Sequence, residues 1–281
     1  MPIRALICDV DGTVLADDGT LPEGTREAVA EARAAGIGVY LATGRSPQAC
    51  GGIYEDLGLD TPVFAANGAA VYRPDTGEYL RCLVMDEEIA RGIIAFAAAH
   101  AEVFILATTD ERHTLCADTD NARGLAALVQ PARETAPDDM PTEGVMKAVL
   151  VMPSGSGSPR HWRDRLLADA ALDGSAYLTW YRVDAIPAFA AFDHPCVDVQ
   201  PPCDGKAEAV RWLMEHEGFG LDEIAAVGDQ LNDLPMLNAA GHAFAVANAA
   251  RKVVETADEV LPAAGDSGVA VLLSRLAHRS L

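Results

Sequence analysis

Apolar residues come along this chain in short runs separated by amphipathic stretches, and that alternation predicts the architecture. "RALICDV", residues 4–10, is a nearly continuous apolar run ending on carboxylates, the pattern of a strand buried on both faces. "LPEGTREAVAEARAAG" places apolar residues at helical spacing, starting near Thr25 and stopping at Gly36. "IGVYLATG" reads as a second strand and "SPQACGGIYEDLG" as a second helix. "PVFAANGAAVY" then reads as strand, turn at Asn67-Gly68, and strand. Strand and helix alternating in this order predict a parallel, doubly wound sheet.

Between Cys82 and Phe192 the pattern changes. "YLRCLVM", "VFILATTD", "RHTLCA", "VMKAVLVM", "YLTWYRV" and "AFAAFD" read as strands, with helices at "DEEIARGIIAFAAAHA" and "SPRHWRDRLLADAALDG". Strands with so few long crossovers predict an α+β module with an antiparallel sheet. After Pro201-Pro202 the alternation resumes, through "GKAEAVRWLMEHEG", "IAAVGD", "NDLPMLNAAG", "HAFAVAN", "ARKVVETAD", "EVLP" and "GVAVLLSRLAHRS". The expected fold is α/β: a Rossmann-like doubly wound parallel-sheet core, residues 1–82 and 193–281, interrupted by an α+β module at 83–192.

Composition narrows the partners. A formal net charge of −21 opposes binding to nucleic acid, whose backbone calls for Lys and Arg, and to an anionic membrane surface. A small anion held by local groups and a metal stays compatible with that charge. The six cysteines show no C-x-x-C pair, so neither zinc-ligand spacing nor a secreted disulfide framework is expected. No apolar run reaches the roughly 18 residues of a membrane span, and the amino terminus enters a strand without a signal-type stretch. These features give the expectation of a cytoplasmic protein, monomer or homodimer, acting on a small molecule.

The chemistry sits at the predicted strand ends. Asp9 and Asp11 close the first strand, and Thr43 closes the second. Lys206 opens a helix of the second half, and "VGDQLNDLPML" ends a strand on Asp229 with Asn232 and Asp233 in the next turn. Parallel strands bring such ends to one edge of a sheet, where these folds bind ligands. Four carboxylates, a hydroxyl and an ammonium suit phosphoryl transfer. Mg²⁺ takes one or two carboxylates plus phosphate oxygens, a carboxylate serves as nucleophile, and a second handles the proton. Thr43 and Lys206 then neutralise phosphoryl charge.

"DVDGT", "ATGR", Lys206 and "GDQLND", in this order, resemble the four motifs of the haloacid dehalogenase-like (HAD) superfamily. "ANGA" at Ala66 to Ala69 and the stretch from "AAGHAFAVAN" to "GDSGVAVLL" resemble its Cof-type phosphatases, whose type IIB α/β cap is inserted between motifs two and three. The resemblance implies Asp9 as nucleophile and Mg²⁺ ligand, and Asp11 as general acid/base lending its carbonyl to the metal. It implies Asp229 as a further metal ligand, with Asp233 supporting the metal's water shell. It implies phosphate contacts from Val10 and Gly44 N–H groups, Thr43, Lys206 and Asn232. One departure is that the glycine usually following the motif-three lysine stands before it, as Gly205. The implied activity is a Mg²⁺-dependent phosphatase acting on a small phosphorylated metabolite, such as a sugar phosphate, through an aspartyl-phosphate.

Each residue also has a plainer reading. A lone D-x-D-G-T is a turn after a strand, Thr43 an N-cap, Lys206 a solvated helix residue and Asp233 a cap. Arg45 reads as a salt bridge as readily as a substrate contact, and Asn67 as a turn residue. His113, Trp180, Tyr181 and Arg182 fall in the module where substrate selection is expected. Of these, Trp180 and Arg182 stand with Arg45 and Asn67 as candidate substrate contacts, although alternate strand residues face opposite ways. Other functions remain open: a phosphomutase of the same superfamily, a phospho-aspartate signalling module, or a sugar-phosphate-binding protein without catalysis.

Overall fold

Strand β1, Ala5–Cys8, is buried along its whole length, and in the computed structural model of the chain it is the central strand of the larger of two sheets. Residues 2–128, 132–172, 174–185 and 191–278 are described. The chain divides into two compact units, residues 1–81 with 204–281, and residues 82–203.

The core unit opens with β1, α1 (Thr25–Ala34), β2 (Gly38–Ala42), α2 (Gly51–Leu57), β3 (Val63–Ala65), β4 (Ala70–Arg73) and β5 (Glu78–Cys82). The inserted unit contributes α3 (Glu87–His100), β6 (Val103–Thr108), β7 (Arg112–Cys116), α4 (Asp120–Leu128), β8 (Arg133–Glu134), β9 (Val145–Val151), α5 (Pro159–Asp169), β10 (Tyr177–Arg182) and β11 (Pro195–Gln200). The chain returns through α6 (Ala207–Trp212), β12 (Ile224–Gly228), α7 (Leu234–Ala239), β13 (His242–Val246), α8 (Arg251–Thr256), β14 (Glu259–Leu261) and α9 (Gly268–Ala277).

The core sheet runs β14-β13-β12-β1-β2-β3-β4-β5. It is parallel from β14 to β3, and β4 turns back antiparallel on β3. Chain order reverses at β1: β12 lies on one side and β2 on the other, with Cys8 level with Val227 and Leu41. A reversal of this kind opens a crevice beyond the strand ends. Alternation within β1 sends Ala5 and Ile7 into a core shared with Ala209 and Trp212 of α6, Met236 of α7 and Val253 of α8. Its other face is covered from the side where α1 packs on α9. The sheet is therefore wound on both faces, as the apolar runs predict.

The inserted sheet runs β10-β11-β9-β6-β7-β8, antiparallel except where β8 joins β7. Phe104, Leu106, Ala148, Leu150, Val197 and Val199 face α3 and α5 in one core. Val103, Val151 and Cys196 face Ala122, Leu125 and Ala126 of α4 on the other side. Both long helices carry caps readable in the sequence. Asp86 accepts from the Glu88 amide at 2.8 Å, and Ser158, ahead of Pro159, accepts from the His161 amide at 3.1 Å.

Three elements have no counterpart in the sequence expectation, the shortest being the two-residue strand β8. Helix α4 begins in polar "DTDNARG" with a glycine inside it, so its apolar stripe is only a turn or so long. Strand β11, "PCVDVQ", starts on Pro195 and runs into Pro201-Pro202, which reads as a linker. It nevertheless pairs with β10 and β9, so the inserted unit extends to Cys203 rather than ending at 192. Of the expected strand at 188–193, residues 188–190 lie outside the described residues and 191–193 are turn and coil. Among the described residues no helix is long and apolar enough to cross a membrane.

Candidate active site

β1 delivers Asp9 to the sheet edge, where its amide donates to the Val227 carbonyl at 3.0 Å. The carboxylate is buried. Its Oδ1 accepts from Lys206 Nζ at 2.5 Å. The Thr13 hydroxyl lies 3.2 Å from Asp9 Oδ2 and 3.1 Å from Asp229 Oδ1, within donating distance of either. Asp229 follows β12 and approaches so closely that a Cβ on Gly12, whose φ is +82°, would lie 2.6 Å from its Oδ2. The glycine of "DVDGT" thus admits the carboxylate that arrives from the other half of the chain.

Lys206 Nζ is shared between Asp9 and Asp233, also at 2.5 Å. The second Asp233 oxygen accepts the amides of Asp229 and Gln230, both at 2.9 Å. Asp233 is fully buried, and although it stands at the N-cap position of α7 its side chain makes no bond to that helix's amides. It ties the turn bearing Asp229 to the lysine. Asp9, Asp229 and Asp233 each offer a carboxylate oxygen, all within 4.8 Å of one another.

Three buried carboxylates face one ammonium, and the ionisation of Asp9 and Asp229 records the imbalance. Burial first, then the Asp9 and Asp233 charges, push Asp229 up to about 9. Burial and the Asp233 charge raise Asp9 to about 6, against the pull of Lys206. Burial alone would lower the Lys206 pKa, but Asp233 and Asp9 outweigh it and hold the ammonium charged. Excess buried negative charge of this kind fits a divalent cation with oxygen ligands.

Asp11 stands apart from this cluster. It is half exposed, and Arg45 clasps it in a fork: Nε to Oδ2 at 2.9 Å, Nη2 to Oδ1 at 2.6 Å. Thr43 follows β2, buried, and its hydroxyl accepts the Arg45 amide at 3.1 Å. Residues 66–68 fold onto this loop, with Ala66 N–H on the Arg45 carbonyl at 2.7 Å and Asn67 N–H on the Thr43 carbonyl at 2.9 Å. Asn67 adopts φ +52° beside Gly44, and its Oδ1 accepts from Asn232 Nδ2 at 3.2 Å. Asn67 therefore joins the loops that follow β2, β3 and β12. Val10 is buried between the two aspartates, its carbonyl accepting the Leu15 amide at 2.9 Å.

The structure brings Asp9, Thr13, Lys206, Asp229 and Asp233 together, and links Asp11 to Arg45 and Asn67 to Asn232. Thr13 was not among the expected site residues, although "DGT" contains it; nothing in a single chain marks that hydroxyl as shared between two carboxylates. Cys8 is buried and its thiol is pushed up by burial and by Asp9. In the inserted unit, Arg163 stacks over Trp180 at 4.2 Å, and Arg182 is paired with Asp184 and Asp193. Tyr181 donates to Asp198 at 3.1 Å. His113 is buried, 3.0 Å from the Thr135 hydroxyl through Nδ1.

A family model described as haloacid dehalogenase-like hydrolase matches residues 6–143 and 176–273. The chain belongs to that family. Among curated relatives of this HAD chain, Phosphatase YwpJ of Bacillus subtilis (strain 168) is 26% identical over 290 residues, covering 98% of this chain and 100% of YwpJ. Pyridoxal phosphate phosphatase YbhA of Escherichia coli (strain K12) is 26% identical over 281 residues, covering 93% of this chain and 94% of its own. Among solved structures, the HAD subclass IIB sugar phosphatase BT4131 superposes with a TM-score of 0.78 at 20% identity, covering 97% of this chain and 98% of its own. That likeness concerns the fold: a Rossmann-like core with an inserted cap.

Proposed function

We propose that this HAD chain is a Mg²⁺-dependent phosphatase that hydrolyses a small phosphomonoester through a phospho-Asp9 intermediate. The observation that carries the reading is the buried excess of carboxylate around Lys206, which raises Asp9 and Asp229 together. A divalent cation held by Asp9, Asp229 and the Asp11 carbonyl, with Asp233 behind it, would offset that charge and draw electron density from the phosphoryl oxygens.

Asp9 attacks phosphorus as the ester P–O bond breaks, and the departing alkoxide takes a proton from Asp11. Water then attacks the phospho-Asp9 phosphorus, Asp11 takes its proton, and Asp9 leaves as a carboxylate with inorganic phosphate. The Lys206 ammonium, the Thr43 hydroxyl, Asn232 and the Val10 and Gly44 amides hold the phosphoryl oxygens where negative charge develops. Arg45 occupies both Asp11 oxygens in the fork, so one arm of the fork must release before Asp11 can carry the proton that it donates. Relatives named for an activity include a pyridoxal phosphate phosphatase, 5-amino-6-(5-phospho-D-ribitylamino)uracil phosphatases and, among solved structures, a sugar phosphatase. A phosphorylated metabolite of that size is the substrate class proposed.

The test is phosphate release from a panel of sugar and other small organic phosphates, with Mg²⁺ and then with EDTA. Release that needs metal and is lost in Asp9→Asn is expected. A folded wild-type chain that frees no phosphate from any ester would sink the reading, and transfer of phosphate to an added sugar would replace it with a mutase.

A further inference from the structure

The chain leaves the core unit after Arg81 and re-enters it at Asp204. Both points are held by one side chain. Glu208, on the first turn of α6, is buried, and its Oε2 accepts from Arg81 Nη2 at 2.8 Å. Its Oε1 accepts the Asp204 backbone amide at 3.1 Å and Arg211 Nη1 at 3.2 Å. The same Arg81 nitrogen reaches the Gly68 carbonyl at 3.4 Å. Gly68 in turn lies so close to the re-entry loop that a Cβ there would stand 2.3 Å from the Gly205 carbonyl oxygen and 3.0 Å from Glu208 Cβ.

None of these groups touches Asp9, yet they frame Lys206. The lysine lies between Asp204 and Glu208 in sequence, and its ammonium is one of the two groups holding the Asp9 carboxylate. A buried carboxylate is tolerated only when its oxygens are filled, and charge-assisted donors fill them best. Here the donors come from the exit, the re-entry and the helix itself. Loss of the Glu208 charge leaves one acceptor oxygen for donors on two, so the hold on Arg81 or on the Asp204 amide is lost and the other is weakened.

We propose that Glu208 is a positioning residue, a latch that fixes the exit and re-entry of the chain on the helix start that carries Lys206. The place of Lys206 against Asp9 then depends on both crossings being held. For the role of Lys206 this rests on the phosphatase reading; the latch itself has a readout of its own.

The experiment compares the full-length wild-type chain with Glu208→Gln, which keeps an acceptor of the same shape and loses the charge. Trypsin cleaves after arginine, so the Arg81–Cys82 bond reports on the latch without reference to activity. Faster cleavage at Arg81 is expected in a variant of wild-type circular dichroism. A fall of about 10- to 100-fold in kcat for 4-nitrophenyl phosphate, the scale set by misplacing a catalytic group, is expected with little change in KM. Cleavage at the wild-type rate, or faster cleavage with wild-type kcat, would overturn the proposal. If Glu208→Gln does not fold, Arg81→Gln should lower kcat in the same direction, with partial recovery in Arg81→Lys. Wild-type kcat in Arg81→Gln would overturn it equally. Should the wild-type chain release no phosphate, the phosphatase reading fails while amide exchange at Asp204, faster in either variant if the latch is real, still judges Glu208.

Discussion

Two buried lysines meet buried carboxylates in this protein, one in each unit. In the core, Lys206 is shared between Asp9 and Asp233, with Asp229 packed beside them. In the cap, Lys147 meets Asp198 at 2.6 Å across neighbouring strands, and the Tyr181 hydroxyl donates to the other Asp198 oxygen. Burial and then the Asp198 charge push Tyr181 and Cys196 well up and keep both neutral. The cap lysine has a carboxylate of its own. The core lysine leaves two carboxylates raised and awaiting positive charge. A balanced pair is a way to close a sheet, whereas an unbalanced one is a way to bind a cation and a phosphoryl group.

Breaking the balanced pair should have the largest effect on stability. Lys147→Met strands the Asp198 charge between strands, and removal of one partner of a buried pair costs about 3–5 kcal/mol. Chemical denaturation should show that loss, and the double variant Lys147→Met with Asp198→Leu should recover most of it. A single variant as stable as wild type would mean that the cap pair is solvated and the comparison wrong. Added Mg²⁺ should rescue none of the loss.

The unbalanced site should respond to metal and to pH instead. The folded pKa of Asp229, about 9, stands far above that of an unfolded carboxylate near 4. The folded chain keeps this proton over the interval in which the unfolded chain has lost it. Metal-free stability from this group is therefore greatest below about pH 4 and falls as pH rises towards about 9. Mg²⁺ competes with the proton, so its stabilising effect should grow over the same interval, reaching about 2.7 kcal/mol at a hundredfold excess over Kd. Thermal melts of Asp229→Asn should show a flatter metal-free pH profile and no Mg²⁺ shift. A wild-type pH slope in that variant would remove Asp229 as its source.

These contrasts also explain what the amino-acid sequence discloses. Asp9, Thr43 and Asp229 were legible because each ends a short apolar run, and parallel strands gather their ends without further instruction. The fold was legible for the same reason. Thr13, Glu208 and the pair Lys147–Asp198 were not, because their meaning lies in partners far along the chain. Strand β11 was hidden by its flanking prolines and by Asp198 and Gln200, polar residues on a buried strand. A polar residue at a buried strand position looks like the end of a strand until its partner is known.

The finest test of the comparison is Tyr181→Phe. The substitution removes one neutral donor from Asp198 and leaves Lys147 in place at 2.6 Å. A lost hydrogen bond to a charged buried acceptor costs about 1–3 kcal/mol, less than the loss of the lysine. If the cap cluster is structural, the denaturation midpoint should fall by that smaller amount while kcat and KM for 4-nitrophenyl phosphate stay at wild-type values. A change in KM with no change in stability would reverse the assignment, making Tyr181 and Asp198 part of substrate recognition and leaving neither buried lysine as a purely structural one.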